Sequence, residues 1–92
     1  MHDEIPDKTQ ILLAYTQAGQ AVASLAFQSD ALRNQGNLPA ARQAYDQLIS
    51  VLKQQLQIAL LNNHDYPDSP YDLPPIVEPL LNAMQTQADL CD

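Results

Sequence analysis

Between residues 11 and 32, apolar or small side chains recur at alternating steps of four and three. The members of this stripe are Ile11, Tyr15, Ala18, Val22, Leu25, Ser29 and Leu32. Such steps place side chains on one face of an α-helix, so the stripe predicts a long helix that packs along one side. Asp7 can cap the free amides of its first turn, with Gln10 at the capping-box position. We therefore predict a first helix over residues 7–34.

Residues 34–37 interrupt this pattern. Gly36 can adopt the left-handed conformation that ends a helix, Asn37 can cap the next one, and Pro39 suits a first turn. A second stripe follows, formed by Leu38, Ala41, Tyr45, Leu48, Leu52, Leu56 and Ala59, with Ile49 and Leu60 beside it. It predicts a second helix over residues 38–62. Two long helices joined by so short a turn must run antiparallel.

Residues 63–76 are rich in proline, tyrosine and aspartate. Because prolines favour extended conformations, we expect a strap that crosses the hairpin, with its tyrosine rings packed inward and its aspartates facing water. Pro79 is tolerated in a helix only near the start, so we predict the third helix over residues 77–90. Its expected apolar stripe consists of Val77, Leu80, Leu81, Met84 and Ala88.

The composition favours an all-α fold in one domain. The chain has 92 residues and only two glycines, and alanine, leucine and glutamine are abundant. The two long helices carry more apolar surface than a short third helix can cover, and such a surplus commonly marks an interface. We therefore predict one domain over residues 1–92, a long antiparallel hairpin plus a shorter C-terminal helix, which completes a helical bundle as a homodimer.

The formal net charge of −7 is unevenly distributed. No lysine or arginine follows residue 63, whereas the acidic residues there are Asp65, Asp68, Asp72, Glu78, Asp89 and Asp92. Four scattered basic residues are too few for direct nucleic-acid binding or attraction to an anionic membrane. The absence of a long apolar run or a signal pattern favours a cytoplasmic protein. Cys91, the sole cysteine, cannot form an internal disulfide.

The stretch GNLPAARQAYDQLI resembles the second half of a tetratricopeptide repeat. Gly36 stands at the small turn position, Ala41 at the alanine of the following helix, and Tyr45 at the aromatic position four residues on. The resemblance covers residues 22–53 and occurs once. It implies a helical interaction module, although repeats of this family stack several units to form a peptide-binding groove.

The acidic loop is the one candidate for chemistry. His64, Asp65, Asp68 and Asp72 offer oxygen and nitrogen ligands that could bind a metal ion. However, the loop lacks the acidic alternation and central glycine of an EF-hand, and one histidine falls short of a zinc set. No nucleophile is held against a base, and no apolar stripe contains a carboxylate. We therefore predict a protein that is not an enzyme and has no metal and no cofactor.

These features predict a protein–protein interaction module that acts as an adaptor, regulator or chaperone. The apolar hairpin surface would anchor the partner, and the acidic C-terminal third would steer towards a basic patch. The candidate contact residues are Tyr15, Tyr45, Leu52, Leu56, Tyr66, Tyr71, Asp65, Asp68 and Asp72. Two alternatives stay open: an acidic inhibitor that mimics nucleic acid, and a metal-binding protein that uses the acidic loop.

Overall fold

Three helices make up the computed structural model, which describes residues 7–90. They are α1 (Lys8–Asn34), α2 (Leu38–Asp65) and α3 (Pro74–Leu90), and no strand occurs within that range. α1 and α2 form an antiparallel hairpin, and α3 returns along α2. The predicted all-α fold, a hairpin plus a C-terminal helix, is therefore confirmed. The homodimer stays a prediction, and Cys91 lies outside the described residues.

The predicted ends of the hairpin helices are capped as expected. The Asp7 carboxylate accepts a hydrogen bond from the Thr9 amide at 3.2 Å. At the turn, Gly36 has a φ of 81°. Its amide donates to the Arg33 carbonyl and the Asn37 amide donates to the Leu32 carbonyl, each at 3.0 Å. These two bonds form a Schellman motif, which satisfies carbonyls that the helix end would otherwise leave free.

The two predicted hairpin stripes form most of the core. Ile11, Ala18 and Ser29 of α1 are buried. The main core cluster contains Ala41, Tyr45, Leu48, Ile49, Leu52, Ala59, Ile76, Leu80 and Ala83. Leu38 and Leu60 lie at the margin of the α2 stripe and are exposed. α2 therefore supplies most of the core, and the other two helices pack on it.

The strap is shorter than predicted, because both neighbouring helices extend into it. α2 continues to Asp65 rather than ending at residue 62, and α3 begins at Pro74 rather than at residue 77. Pro74 and Pro75 occupy the first turn of α3, where a missing N–H leaves no bond unmade. Pro79 lies inside the helix. The connector between α2 and α3 is thus residues 66–73, which we call the strap from here on.

The predicted apolar stripe of α3 is wrong except for Leu80. Leu81 is 58% exposed, and Met84 is also exposed. The buried residues are instead Ile76, Leu80 and Ala83. Gln87 and Leu90 extend this face towards the start of α2. There the Arg42 guanidinium donates to the Leu90 carbonyl at 2.9 Å, and the Gln87 amide donates to the Arg42 carbonyl at 3.1 Å. The helix thus has two apolar stripes, one with Ile76, Leu80 and Ala83 and one with Leu81 and Met84. The polar contacts of Gln87 and Leu90 favour burial of the first stripe, because both residues lie on its face.

Candidate protein-binding groove

α1 and α3 flank α2 without approaching each other. Both pack closely on α2, whereas no Cα atom of Lys8–Asn34 lies within 8 Å of one in Pro74–Leu90. The space between them is an open groove of about 300 Å³. Its lining residues come from all three helices and are Val22, Ala26, Asp30, Arg33, Tyr45, Leu48, Leu52, Pro79, Asn82, Ala83 and Thr86.

The groove has an apolar floor and polar edges. Tyr45, Leu48 and Leu52 of α2 form the floor, and all three are core residues. On the α1 side, the lining changes from apolar Val22 and Ala26 to charged residues towards the end of the helix. An apolar floor with a polar edge is the usual arrangement at a protein-binding site, where the floor excludes water and the edge fixes orientation.

A hydrogen-bonded group closes one end of the groove. The Tyr45 hydroxyl donates to Asp30 Oδ1 at 2.6 Å, and Arg33 Nη2 lies 3.9 Å from the same oxygen. Burial of the ring and the hydrogen bond to Asp30 raise the pKa of Tyr45 to about 12. The phenol therefore stays protonated at neutral pH and holds the carboxylate against the edge of the groove.

Aromatic rings mark the other end of the molecule, where the strap meets α1. The rings of Tyr15 and Tyr71 are tilted by 45° with their centroids 4.4 Å apart. The Lys8 ammonium lies 5.6 Å from the centroid of the Tyr66 ring. Burial, followed by the proximity of Tyr71 and Asp72, raises the pKa of Tyr15. Asp72 is therefore close to Tyr15, at an end of α1 that does not line the groove.

Two asparagines of α2 hold the strap by its backbone. The Asn63 amide donates to the Tyr71 carbonyl at 3.1 Å, and its Oδ1 accepts from the Tyr71 amide at 2.7 Å. The fully buried Asn62 donates to the Ser69 carbonyl at 3.0 Å. Asparagines usually favour helix ends. Here their side chains bind the strap, and the helix continues past them.

The predicted contact residues divide into three groups. Tyr45 and Leu52 are core residues, 4% and 1% exposed, and they face the outside only where they form the groove floor. Their role as partner contacts stays a prediction. The stripe that they belong to faces the core of the chain itself. Leu56 is half-buried and packs against that core. The remaining aromatics Tyr15, Tyr66 and Tyr71 are half-buried where the strap meets α1.

The predicted acidic residues do not form one site. Asp65 is the last residue of α2, its side chain is only 11% exposed, and its carboxylate lies 3.0 Å from His64 Nδ1. Asp68 and Asp72 are exposed on the strap. Among residues 7–90, no three side chains of the metal-ligating types converge. Asp65 thus adds little to the acidic surface on which a nucleic-acid mimic would depend.

Several groove residues were not anticipated from the sequence, chiefly Asp30, Asn82 and Thr86. Their spacing contained a signal, because Val22, Ala26 and Asp30 recur at steps of four on α1. Pro79, Asn82, Ala83 and Thr86 likewise share one face of α3. What the sequence did not indicate was that these two faces border the same opening.

No protein-family model, curated protein or solved structure matches this chain. None of the helices within residues 7–90 combines the length and apolar character needed to cross a bilayer.

Proposed function

We propose that this chain is a non-enzymatic protein–protein interaction module that binds a segment of a partner in the groove between α1 and α3. In this role it would serve as an adaptor, regulator or chaperone, as its size and lack of charge on the hairpin suggest, and we place it in the cytoplasm. The supporting observation is that both flanking helices pack on α2 and not on each other. Three helices thus occupy positions that leave room for another segment.

The ionisable groups of the groove support binding rather than catalysis. A general base or nucleophile needs a pKa tuned towards the working pH and an open approach for substrate. The pKa of Tyr45 is instead raised to about 12, away from neutrality. Its hydroxyl and the Arg33 guanidinium both lie against the Asp30 carboxylate. These groups orient one another, which suits a fixed polar edge at an interface.

The test fills the groove without disturbing the core. Asn82 is exposed and lines the groove, so Asn82→Trp should place an indole over the floor while the core stays packed. Gln47→Trp is the control, because Gln47 is exposed on α2 and does not line the groove. Circular dichroism and thermal unfolding check that both variants fold.

Each variant and the unmodified chain would be used for affinity purification with mass spectrometry from an extract of the source organism. We expect a set of proteins that the unmodified chain and Gln47→Trp enrich and that Asn82→Trp loses. Retention of the same proteins by folded Asn82→Trp would contradict binding in the groove. Direct titration of the purified partner with all three chains then measures the loss of affinity.

A further inference from the structure

We propose that the occupant of the groove is a cationic amphipathic helix of a partner protein, with lysine or arginine residues flanking its apolar stripe. This inference rests on the proposed function and specifies the chemistry of the partner. It follows from the helical walls of the groove, from the carboxylates along its edges, and from an exposed aromatic ring on α1.

The groove volume of about 300 Å³ is too small to enclose a helix, but its length suits a helix that lies along the opening and inserts the side chains of one stripe. Its lining residues on α1 run from Val22 to Arg33, and those on α3 run from Pro79 to Thr86. At 1.5 Å per residue the α1 wall is about 17 Å long, which is about three turns of an occupant helix. Bundles close when a helix lays its apolar stripe into the space between two neighbours.

The α3 edge of the groove is acidic. Glu78, Asn82, Gln85 and Asp89 follow one another at steps of four, three and four, so they share one face of α3. Asn82 lines the groove, so this face borders it. The Gln85 amide donates to Asp89 at 3.1 Å and orders that carboxylate. No lysine or arginine lies between residue 54 and residue 90 to offset the two acids.

The α1 edge adds one carboxylate and one cation. Asp30 borders the groove on α1, and Arg33, the one basic residue that lines it, lies against Asp30. Exposed carboxylates interact weakly one at a time, but several around one opening produce an additive field that attracts a cationic segment.

Phe27 lies beside Asp30 on α1, outside the residues that line the groove. Its side chain is 78% exposed, the largest exposure among the large apolar residues of the described part of the chain. It follows Ala26, which lines the groove, and lies one helical turn before Asp30. An aromatic ring beside a carboxylate suits a lysine or arginine, whose stem packs on the ring while its charge meets the acid.

A second copy of the chain fits this groove poorly. Each copy has a net charge of −7, and its C-terminal helix has acidic flanks, so like charges would meet along the edges. The predicted homodimer would use another face of α3 instead, where Leu81 and Met84 are exposed. The two interfaces would thus occupy different faces of the same helix.

The test uses three synthetic helices of about 18 residues with one apolar stripe of leucine and alanine. Their flanking positions carry lysine, glutamine or glutamate. Binding to the full chain is measured by fluorescence anisotropy at about 50 mM and about 300 mM salt, which brackets the range where screening becomes strong. At low salt the lysine helix should bind about tenfold more tightly than the glutamine helix, and the glutamate helix most weakly. The advantage of lysine should shrink at high salt.

Three variants show which part of the surface causes the charge dependence of binding. Glu78→Lys combined with Asp89→Lys should reverse the order of the lysine and glutamate helices, because it reverses the charge of the α3 edge. Asp68→Lys combined with Asp72→Lys is the control for net charge, since both are exposed strap residues that do not line the groove, and this pair should preserve the order. Asn82→Trp should weaken all three helices.

The possible failures are distinguishable. Equal binding of the lysine and glutamine helices, lost in Asn82→Trp, would overturn the inference about charge and leave the proposed function standing. Lysine-helix binding that Asn82→Trp does not weaken would overturn it in favour of general attraction to an acidic surface. Self-association in sedimentation equilibrium that Asn82→Trp abolishes would make a second copy the occupant. Absence of binding by all three helices would overturn the helical occupant, whereas the proposed function is tested separately by the affinity purification with Asn82→Trp.

Discussion

α1 and α3 both pack on α2 and border the same groove, but they are held in different ways. α1 packs through a single stripe of apolar and small residues along its whole length of 27 residues. α3 is 17 residues long and has two stripes, of which one is buried and the other, with Leu81 and Met84, is exposed. Its orientation depends on polar contacts at its end and on the strap at its start. Packing thus specifies one helix, whereas hydrogen bonds select the orientation of the other.

The strongest test of this contrast compares the two stripes of α3. Ile76 is 1% exposed, and Ile76→Ala should lower the free energy of unfolding by about 2–5 kcal/mol, because it removes buried methyl groups and leaves a cavity. Leu81→Ala, on the exposed stripe, should change it by less than about 0.5 kcal/mol. Urea unfolding measures both. Equal losses would mean that α3 packs through both stripes, as in a dimer.

The next largest loss in the free energy of unfolding is expected when the strap loses its hydrogen bonds to α2. Asn63→Ala removes both hydrogen bonds to the Tyr71 backbone. The backbone amide and carbonyl of the half-buried Tyr71 then lose these partners. We expect a loss of about 1–3 kcal/mol in the free energy of unfolding. Gln54→Ala, at an exposed position on the same helix, is the control and should cost little. If the two variants unfold alike, the strap does not position α3.

The hydrogen bond from Tyr45 on α2 to Asp30 on α1 should make a contribution to the free energy of unfolding that depends on pH. Tyr45→Phe removes the hydrogen bond to Asp30 and should cost about 1 kcal/mol near neutral pH. Because folding raises the pKa of Tyr45 to about 12, this contribution is full below the ordinary value near 10 and disappears as the pH rises towards 12. Urea unfolding of both chains from about pH 7 to about pH 11.5 should show the difference narrowing only above about pH 10. A constant difference would contradict a buried, hydrogen-bonded phenol.

The smallest expected change in stability is at Gly19, where α1 and α2 approach each other closely. A Cβ atom added at Gly19 would lie 3.4 Å from Gln55 Nε2, the flexible end of a side chain. Gly19→Ala should therefore stabilise the fold by about 0.5–1 kcal/mol through helix propensity. The same change at Gly36, where φ is 81°, should instead destabilise it by about 1 kcal/mol. Destabilisation at both positions in thermal unfolding would mean that the helices pack more tightly at Gly19 than this spacing indicates.

The hairpin could be predicted from the sequence because each of its helices has one apolar face and recognisable caps. The stripe from Ile11 to Leu32, the turn at Gly36 and the cap at Asn37 all agree with the structure. α3 could not be oriented in the same way, because Ile76 and Val77 begin two stripes of similar apolar character. Only the contacts of Gln87 and Leu90 with Arg42, which are distant in sequence, decide between them.

The groove was less predictable than the fold. Tyr45 and Leu52 were expected both in a packing stripe and at a partner surface, and a stripe alone does not tell which neighbour covers it. The opening exists because α3 packs on α2 at a distance from α1, and that placement depends on where the strap ends. The early start of α3 at Pro74, which sets that point, was itself not anticipated.

The separation of α1 from α3 also affects how such a chain could acquire new binding preferences. Ala26 on one wall and Asn82 on the other belong to helices that share no direct packing. Substitutions on one wall therefore leave the opposite wall's neighbours unchanged, and their effects on affinity should be close to additive. Selection or engineering can retune the two walls one at a time, with the α2 floor held constant.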